Sequence, residues 1–283
     1  MQELKGKVAV VTGGASGIGL AMARAFGAEG MNLVIADIEE RALDAAGDQL
    51  REEGLSVRTH VCDVSDGDAV DDLGAAAVDS FGAVHVVCNN AGVSAGGLLH
   101  NVSVKDWEWV LGVNLWGVIH GVRVFLPRLL EQGEGHIVNT ASVLGLFSAP
   151  FAGPYAVSKF GVVALSESLF QELALSNTDV GVSVLCPGWV STNLHDADRN
   201  RPADLRNPTV ADEDLDPMAV AMRDALKGVI ESGMAPADVA ARVVAAVKEK
   251  QFYILTHDAS ADAVAQRSAA IVAQADPPFF MPQ

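Results

Sequence analysis

Cysteine is scarce in this chain: Cys62, Cys88 and Cys186 are the whole supply among 283 residues. Three thiols so far apart make neither a disulfide framework nor a zinc ligand set. Each ends an apolar run, which fits a small buried hydrophobe in a reduced, cytoplasmic protein. Basic residues are also few, 19 Lys and Arg against 36 Asp and Glu, for a formal net charge of −17. Nucleic acids and anionic membranes are gripped by clustered cations, so neither is expected as a partner. No apolar run reaches the ~18 residues of a membrane span. The opening MQELKGK has no secretory hydrophobic region. Repeats and low-complexity tracts are absent, and the seven histidines are scattered, so no metal site is expected.

Hydrophobic residues, by contrast, make up 50% of the chain, and there are 27 glycines. Apolar, β-branched runs recur at Lys7–Thr12, Asn32–Ala36, Ser56–Val61, Val84–Cys88, Gly135–Thr140, Val180–Leu185 and Phe252–Thr256. Segments of helical spacing lie between them, among them Ile18–Glu29, Glu39–Glu53, Asp66–Phe81 and Tyr155–Leu175. Continuous apolar strands alternating with helices predict a mostly parallel sheet covered on both faces. Right-handed crossovers make it a doubly wound, Rossmann-type α/β fold of seven strands, in a single domain over residues 1–283. The stretch Ser191–Pro217 is rich in Asp, Asn, Arg and Pro and loses periodicity, with helical spacing returning at Met218–Glu231 and Pro236–Lys250. It follows the sixth strand, at the edge where such sheets bind ligands, so a lid is expected at about 191–232. A C-terminal helix and tail are expected at about 258–283, the tail frayed or packed on another subunit.

Thr12-Gly13-Gly14-Ala15-Ser16-Gly17-Ile18-Gly19 follows the first strand and opens the first helix. Glycines let the backbone turn sharply and approach a pyrophosphate, and a helix N-terminus offers free N–H groups to the anion. A tight strand–helix turn would explain the same glycines. Asp37 ends the second strand, where a carboxylate accepts from the ribose hydroxyls of adenosine and repels a 2′-phosphate. Ile38 and Ser16 are not basic, which favours NAD over NADP, although Arg41 is near. Asp37 also suits a cap for the helix starting near Glu39. Asp63 suits either a bond to the adenine amine or a helix cap near Ser65.

Tyr155 and Lys159 lie one helical turn apart. A phenol with a pKa near ~10 is a poor acid or base at neutral pH, and a neighbouring ammonium stabilises its anion. Such a tyrosine becomes a general base for alcohol oxidation or an acid for carbonyl reduction. The Y-x-x-x-K spacing alone is equally a solvated helix face. Ser142, just after the fifth strand, can hold a substrate oxygen. Asn114 sits inside the helical segment Lys105–Leu130, where Asn is locally unfavourable; it could kink the helix and hold a proton-passing water, or be a satisfied buried amide.

Taken in order, these residues resemble the short-chain dehydrogenase/reductase family over Lys7 to about Thr192. The match comprises TGGASGIG at Thr12–Gly19, Asp37, CDV at Cys62–Val64, NNAG at Asn89–Gly92, Asn114, Ser142, YAVSK at Tyr155–Lys159 and PGWVST at Pro187–Thr192. The resemblance implies a catalytic tetrad of Asn114, Ser142, Tyr155 and Lys159, with hydride passing between NAD and a carbinol carbon. Tyr155 would move the proton, Ser142 position the substrate oxygen, Lys159 bind the nicotinamide ribose and depress the tyrosine pKa, and Asn114 anchor a relay water. The cofactor site would be formed by Gly13, Ser16, Gly17, Ile18, Gly19, Asp37, Ile38, Asp63, Val64, Asn90, Ala91, Gly92, Tyr155, Lys159, Pro187, Gly188, Val190 and Thr192. A homo-oligomer, dimer or tetramer, is also implied. The family's common Asp-Gly-Gly ending is replaced here by His257-Asp258 and a helical stretch at about Ala259–Ala273. Residues expected to face the substrate, Ser94–Leu99, Val143–Phe147, Pro150–Phe151 and Trp189, are mostly apolar and suit an uncharged terpenoid, steroid, alicyclic or aryl secondary alcohol or ketone. Other readings of the same residues are an NADPH-dependent 3-ketoacyl-type reductase, a non-catalytic NAD-binding regulatory protein, and an epimerase or dehydratase working through a keto intermediate.

Overall fold

The computed structural model describes residues 1–208 and 217–280 of the chain. Its elements alternate as the hydrophobic pattern requires: β1 (Val8–Thr12), α1 (Gly17–Ala28), β2 (Asn32–Asp37), α2 (Glu40–Glu52), β3 (Val57–Val61), α3 (Gly67–Phe81), β4 (Val86–Asn89), α4 (Val104–Leu111), α5 (Gly117–Gln132), β5 (Glu134–Thr140), α6 (Gly153–Ser176), β6 (Asp179–Cys186), α7 (Pro217–Glu231), α8 (Pro236–Glu249), β7 (Tyr253–Leu255) and α9 (Ala259–Val272). The strands form one seven-stranded sheet in the order β3-β2-β1-β4-β5-β6-β7. Every pairing in it is parallel. The strand order reverses between β1 and β4, which opens a crevice beyond their carboxyl ends.

Two apolar layers flank the sheet. On one face Met22 and Phe26 of α1, Leu43 and Leu50 of α2 and Val243 of α8 pack on Leu33 and Ile35. On the other, Leu73 of α3, Phe125 and Leu129 of α5 and Leu169 of α6 pack on Val10, Val87 and Ile137. Burial from both sides explains why β1 and β4 read as unbroken runs rather than alternating ones.

Local chemistry sets the helix ends. Asp66 caps α3 by accepting from the Asp68 N–H at 2.9 Å, and Ser103 and Asp106 form a capping box at the start of α4. Pro154 stands in the first turn of α6. Between α4 and α5 the helix widens into a π turn, Gly112–Trp116, with Asn114 fully buried inside it. The continuous run Val104–Gln132 is long and apolar enough, by length and composition, to cross a membrane. Here α5 packs against β4, β5 and α3.

The segment after β6 is pinned down. It forms short 3-10 turns at Asn193–Asn200 and Ala203–Leu205. Arg201, with a side chain only 6% exposed, pairs with Asp106 at 2.7 Å and stacks over Trp109 with its guanidinium carbon 4.9 Å from the ring centroid. Asn207 donates to Asp106 at 2.9 Å. The expected lid at 191–232 is therefore clamped to α4 through residue 207, and its residues 209–216 lie outside the described residues.

At the C-terminus α9 ends in a left-handed residue, Gln274, at φ +55°. The Ala275 N–H donates to Ala270 O at 2.9 Å, the long bond of a Schellman turn. The chain reverses there, and Phe280 stacks on Phe147 of the same chain with ring centroids 4.6 Å apart. The sequence leads one to expect a frayed tail or an arm on another subunit. The helix-ending turn, which local composition hides, instead aims the tail back at its own fold.

Candidate active site

The ends of β1 and β4 are stitched together before any ligand enters. Thr12 Oγ1 accepts from the Asn90 and Ala91 N–H groups at 2.9 and 3.2 Å, and Asn90 Nδ2 donates to Thr12 O at 3.0 Å. The turn above them has room only for glycine at Gly13, Gly14 and Gly19. A Cβ at Gly13, where φ is +64°, would come 2.9 Å from Ala91 Cα, and one at Gly19 would come 2.0 Å from Gly13 O. Asp37 holds the turn from the side, its carboxylate accepting from Ala15 N and Glu39 N at 3.1 Å each. Its burial pushes the carboxyl pKa up, against the pull of those backbone bonds. Of the two roles considered for Asp37, the helix-starting one is seen here, in the bond from Glu39 N just before α2. Asp63 likewise accepts from Ser65 N and Oγ at 2.9 and 2.7 Å while facing the crevice. The cap of α3 falls to Asp66 instead.

A cavity of about 1260 Å³ runs from Asp37 past the glycine turn to Tyr155 and out beneath the segment after β6. Of the expected cofactor residues, Gly13, Ser16, Gly17, Ile18, Asp37, Ile38, Asp63, Val64, Asn90, Ala91, Gly92, Tyr155, Lys159, Pro187, Gly188, Val190 and Thr192 all border it. Gly19 does not. It faces Gly13 and lets α1 approach the turn. Arg41 is exposed and does not border the cavity, whereas Arg199 does, its guanidinium held on Glu39 at 2.8 Å.

The expected catalytic residues converge. Ser142 caps the short turn after β5, accepting from Leu144 N at 3.2 Å, and its hydroxyl faces the same cavity as Tyr155. Burial pushes the Tyr155 phenol up from its ordinary value, partly offset by the nearby Ser142 hydroxyl. Lys159, 3% exposed, donates to Thr140 O at 2.9 Å and lies 5.6 Å from the centroid of the Tyr155 ring. Burial lowers its pKa to about 8. Burial is thus the larger influence on the phenol, and no effect of Lys159 on it is resolved. Asn114 stands one layer back and does not border the cavity. Its Oδ1 accepts from Val93 N at 2.8 Å, and its Nδ2 donates to Val93 O and Ser158 Oγ at 2.9 and 3.1 Å. Gly92 separates it from Lys159: a Cβ there would be 3.4 Å from Asn114 Oδ1 and 3.6 Å from Lys159 Nζ.

On the substrate side Ser94–Gly97, Val143, Leu144, Phe147, Pro150, Phe151 and Trp189 border the cavity; Leu98, Leu99, Gly145 and Leu146 do not. Ile230 comes from the expected lid, whereas sequence reasoning missed Trp109, His257, Phe279 and Phe280, which come from distant elements. The His257 ring fills the place a Cβ at Gly188 would take, 2.6 Å from Nδ1. Thr256 Oγ1 accepts from Gly188 N at 3.0 Å and shares a 2.7 Å bond with His257 Nδ1. The thiols of Cys62 and Cys186 are pushed up to about 12 by burial, so they are not nucleophiles at neutral pH.

Comparison with known proteins agrees with this geometry. The family model described as short chain dehydrogenase matches residues 7–203. A crystal structure of a short chain dehydrogenase/reductase from Burkholderia phymatum in complex with NAD superposes with a TM-score of 0.96 at 45% identity, over 100% of both chains. The CLA biosynthesis dehydrogenase/reductase of Lactiplantibacillus plantarum is 33% identical over 91% of this chain and 90% of its own length. The C alpha-dehydrogenase of a Sphingobium species is 32% identical over 91% of this chain and 82% of its own. A glycine turn at the strand-order switch, a half-buried Tyr155 beside the buried Lys159 and a family match over most of the chain lead to one assignment: the protein belongs to the short-chain dehydrogenase/reductase family, and is an oxidoreductase with a fold that binds a nicotinamide cofactor.

Proposed function

We propose that the protein uses NAD to interconvert an uncharged, hydrophobic secondary alcohol and its ketone. The observation that carries this reading is the Tyr155 phenol, half-buried beside Ser142 and Lys159 in the cavity that also holds the glycine turn and Asp37. The residues fit a dinucleotide. Gly13 and Gly17 remove side chains where the backbone must approach a pyrophosphate, and the open start of α1, where Ser16 makes no side-chain cap, leaves N–H groups for the phosphates. Asp37 at the crevice rim supports NAD, since its charge would repel a 2′-phosphate. The Burkholderia relative, crystallised in complex with NAD, favours the same choice. When bound, the nicotinamide supplies or accepts the hydride.

The chain's own groups handle the proton. In reduction, Ser142 donates to the carbonyl oxygen and Tyr155 delivers its hydroxyl proton to that oxygen. In oxidation, the Tyr155 phenolate takes the proton from the alcohol. Lys159 has three donors and gives one to Thr140 O, which leaves two for the ribose hydroxyls and the phenol's surroundings. The gap left at Gly92, between Asn114 and Lys159, suits a water that refills Tyr155 through Lys159. Pro187, Gly188, Val190 and Thr192 are positioned to hold the carboxamide end. The single domain, with residues 191–208 and the C-terminal segment closing the substrate side, serves this one site. Exposed Val157, Phe170 and Leu175 on α6 support a homo-oligomer, and the buried reduced thiols suit the cytoplasm.

Absorbance at the reduced-nicotinamide band, across a panel of hydrophobic secondary alcohols and ketones with NAD and NADP, tests the reading. Turnover with NAD that Tyr155→Phe abolishes while cofactor still binds supports it. Turnover that survives Tyr155→Phe overturns it.

A further inference from the structure

The chain is poor in aromatic residues, with ten Phe, four Trp and two Tyr. Only Phe26 and Phe125 are among its largest fully buried side chains. Besides Tyr155, six of the aromatics border the cavity described above: Trp109, Phe147, Phe151, Trp189, Phe279 and Phe280. Rings set around a ligand space suit a ligand with a flat face of its own, because aromatic faces and edges attract one another in offset or edge-to-face contact.

Two of these rings are aimed by unusual backbone. Phe151 has φ +65°, a strained region for a bulky residue. Its carbonyl accepts from Gly97 N at 2.8 Å, and Gly96 makes room, since a Cβ there would lie 2.2 Å from that oxygen. Phe280 is brought in by the left-handed Gln274, and Pro277 and Pro278 stiffen the return path. The helix that carries this tail is itself held to α6, with Arg267 over the Phe160 ring at 5.0 Å. The tail then meets Phe147, five residues beyond Ser142, at a centroid distance of 4.6 Å.

We infer that the substrate is a neutral alcohol or ketone bearing an aryl ring next to the reacting carbon, and that the Phe147–Phe280 pair, completed by the chain's own C-terminal segment, is the wall that selects it. The inference rests on the oxidoreductase reading above and narrows its substrate class. Phe280 sets specificity and takes no part in proton transfer.

The test compares the full-length protein with Phe280→Ala, Phe280→Leu, Phe147→Ala and the double alanine variant, using NADH with propiophenone and with acetone. The expected result is a rise of about tenfold in KM for propiophenone in Phe280→Ala, the order of one lost aromatic contact. The shift for acetone is much smaller, and NADH affinity and kcat stay near the wild-type values. Phe280→Leu falls between, and the double variant loses little more than either single one, because the two rings act as a pair. Equal shifts for both ketones, or none, overturn the wall. If the wild type reduces neither ketone, the wall is judged by propiophenone binding to the NAD complex, read as quenching of tryptophan fluorescence. Equal affinity in wild type and Phe280→Ala then overturns it, and a weaker complex in the variant supports it while the failure falls on the oxidoreductase reading.

Discussion

Burial acts on Tyr155 and Lys159 in opposite senses, pushing the phenol up and the ammonium down to about 8. Both shifts favour the neutral forms. A phenol that keeps its proton through neutral pH is ready to donate, so kcat/KM for ketone reduction should hold across neutral pH and fall in alkali. Oxidation of the alcohol needs the phenolate, and its kcat/KM should climb over the same alkaline range. Stopped-flow rates in both directions across pH check this, and a reduction rate that rises with pH would contradict the proton's assigned direction. Asp37→Ala should weaken NAD by at least about tenfold, the order of a lost charged hydrogen bond, and NADP much less, as read by titration of cofactor fluorescence. Asp37's place at a strand end, on the rim of the cavity, was legible in the sequence. Its grip on Ala15 N was not, because that bond depends on how the glycine turn folds over β2.

Elements that carry their own signals were legible to within a few residues: the apolar runs became β1–β7, and the spacing of apolar residues in Tyr155–Leu175 became the middle of α6. Asn114 in the middle of a helix marked a disturbance, which is a π turn rather than a kink. The segment after β6 was legible only as irregular. Its restraint on α4 comes from Arg201 and Asn207 reaching Asp106, and such pairings leave no local pattern. Arg201→Met should therefore loosen this segment and leave Asp106 buried without its cation. The expected cost is about 3 kcal/mol of stability, read by denaturant unfolding, with a higher KM for substrate. A stability equal to the wild type's would show that the ion pair contributes nothing net. Gly19→Ala places a methyl against Gly13 O and should cost cofactor binding even though Gly19 faces away from the cavity. Isothermal titration with NADH reads it.

Across the whole molecule, the alternation of strands and helices announced the doubly wound sheet, but nothing in it announced that Glu39, near the adenosine end, would be joined to Arg199 and Asn200 beyond β6. That clasp closes one rim of the cavity. Glu39→Gln removes the charge pair and keeps the shape, so NADH should leave faster, and release should become less sensitive to salt than in the wild type. Stopped-flow displacement at two ionic strengths checks it, and an unchanged release rate would make the clasp incidental. The order of the chain has another consequence. Residues 17–28 of α1 pack against residues 236–249 of α8, so the greasy side of the first helix is sealed only once α8 has been made. β1 likewise waits for β4 before its second edge is paired. A nascent chain thus carries an open sheet edge and an uncovered helix until these distant partners emerge, the condition under which chaperones bind and refolding yield drops as concentration rises.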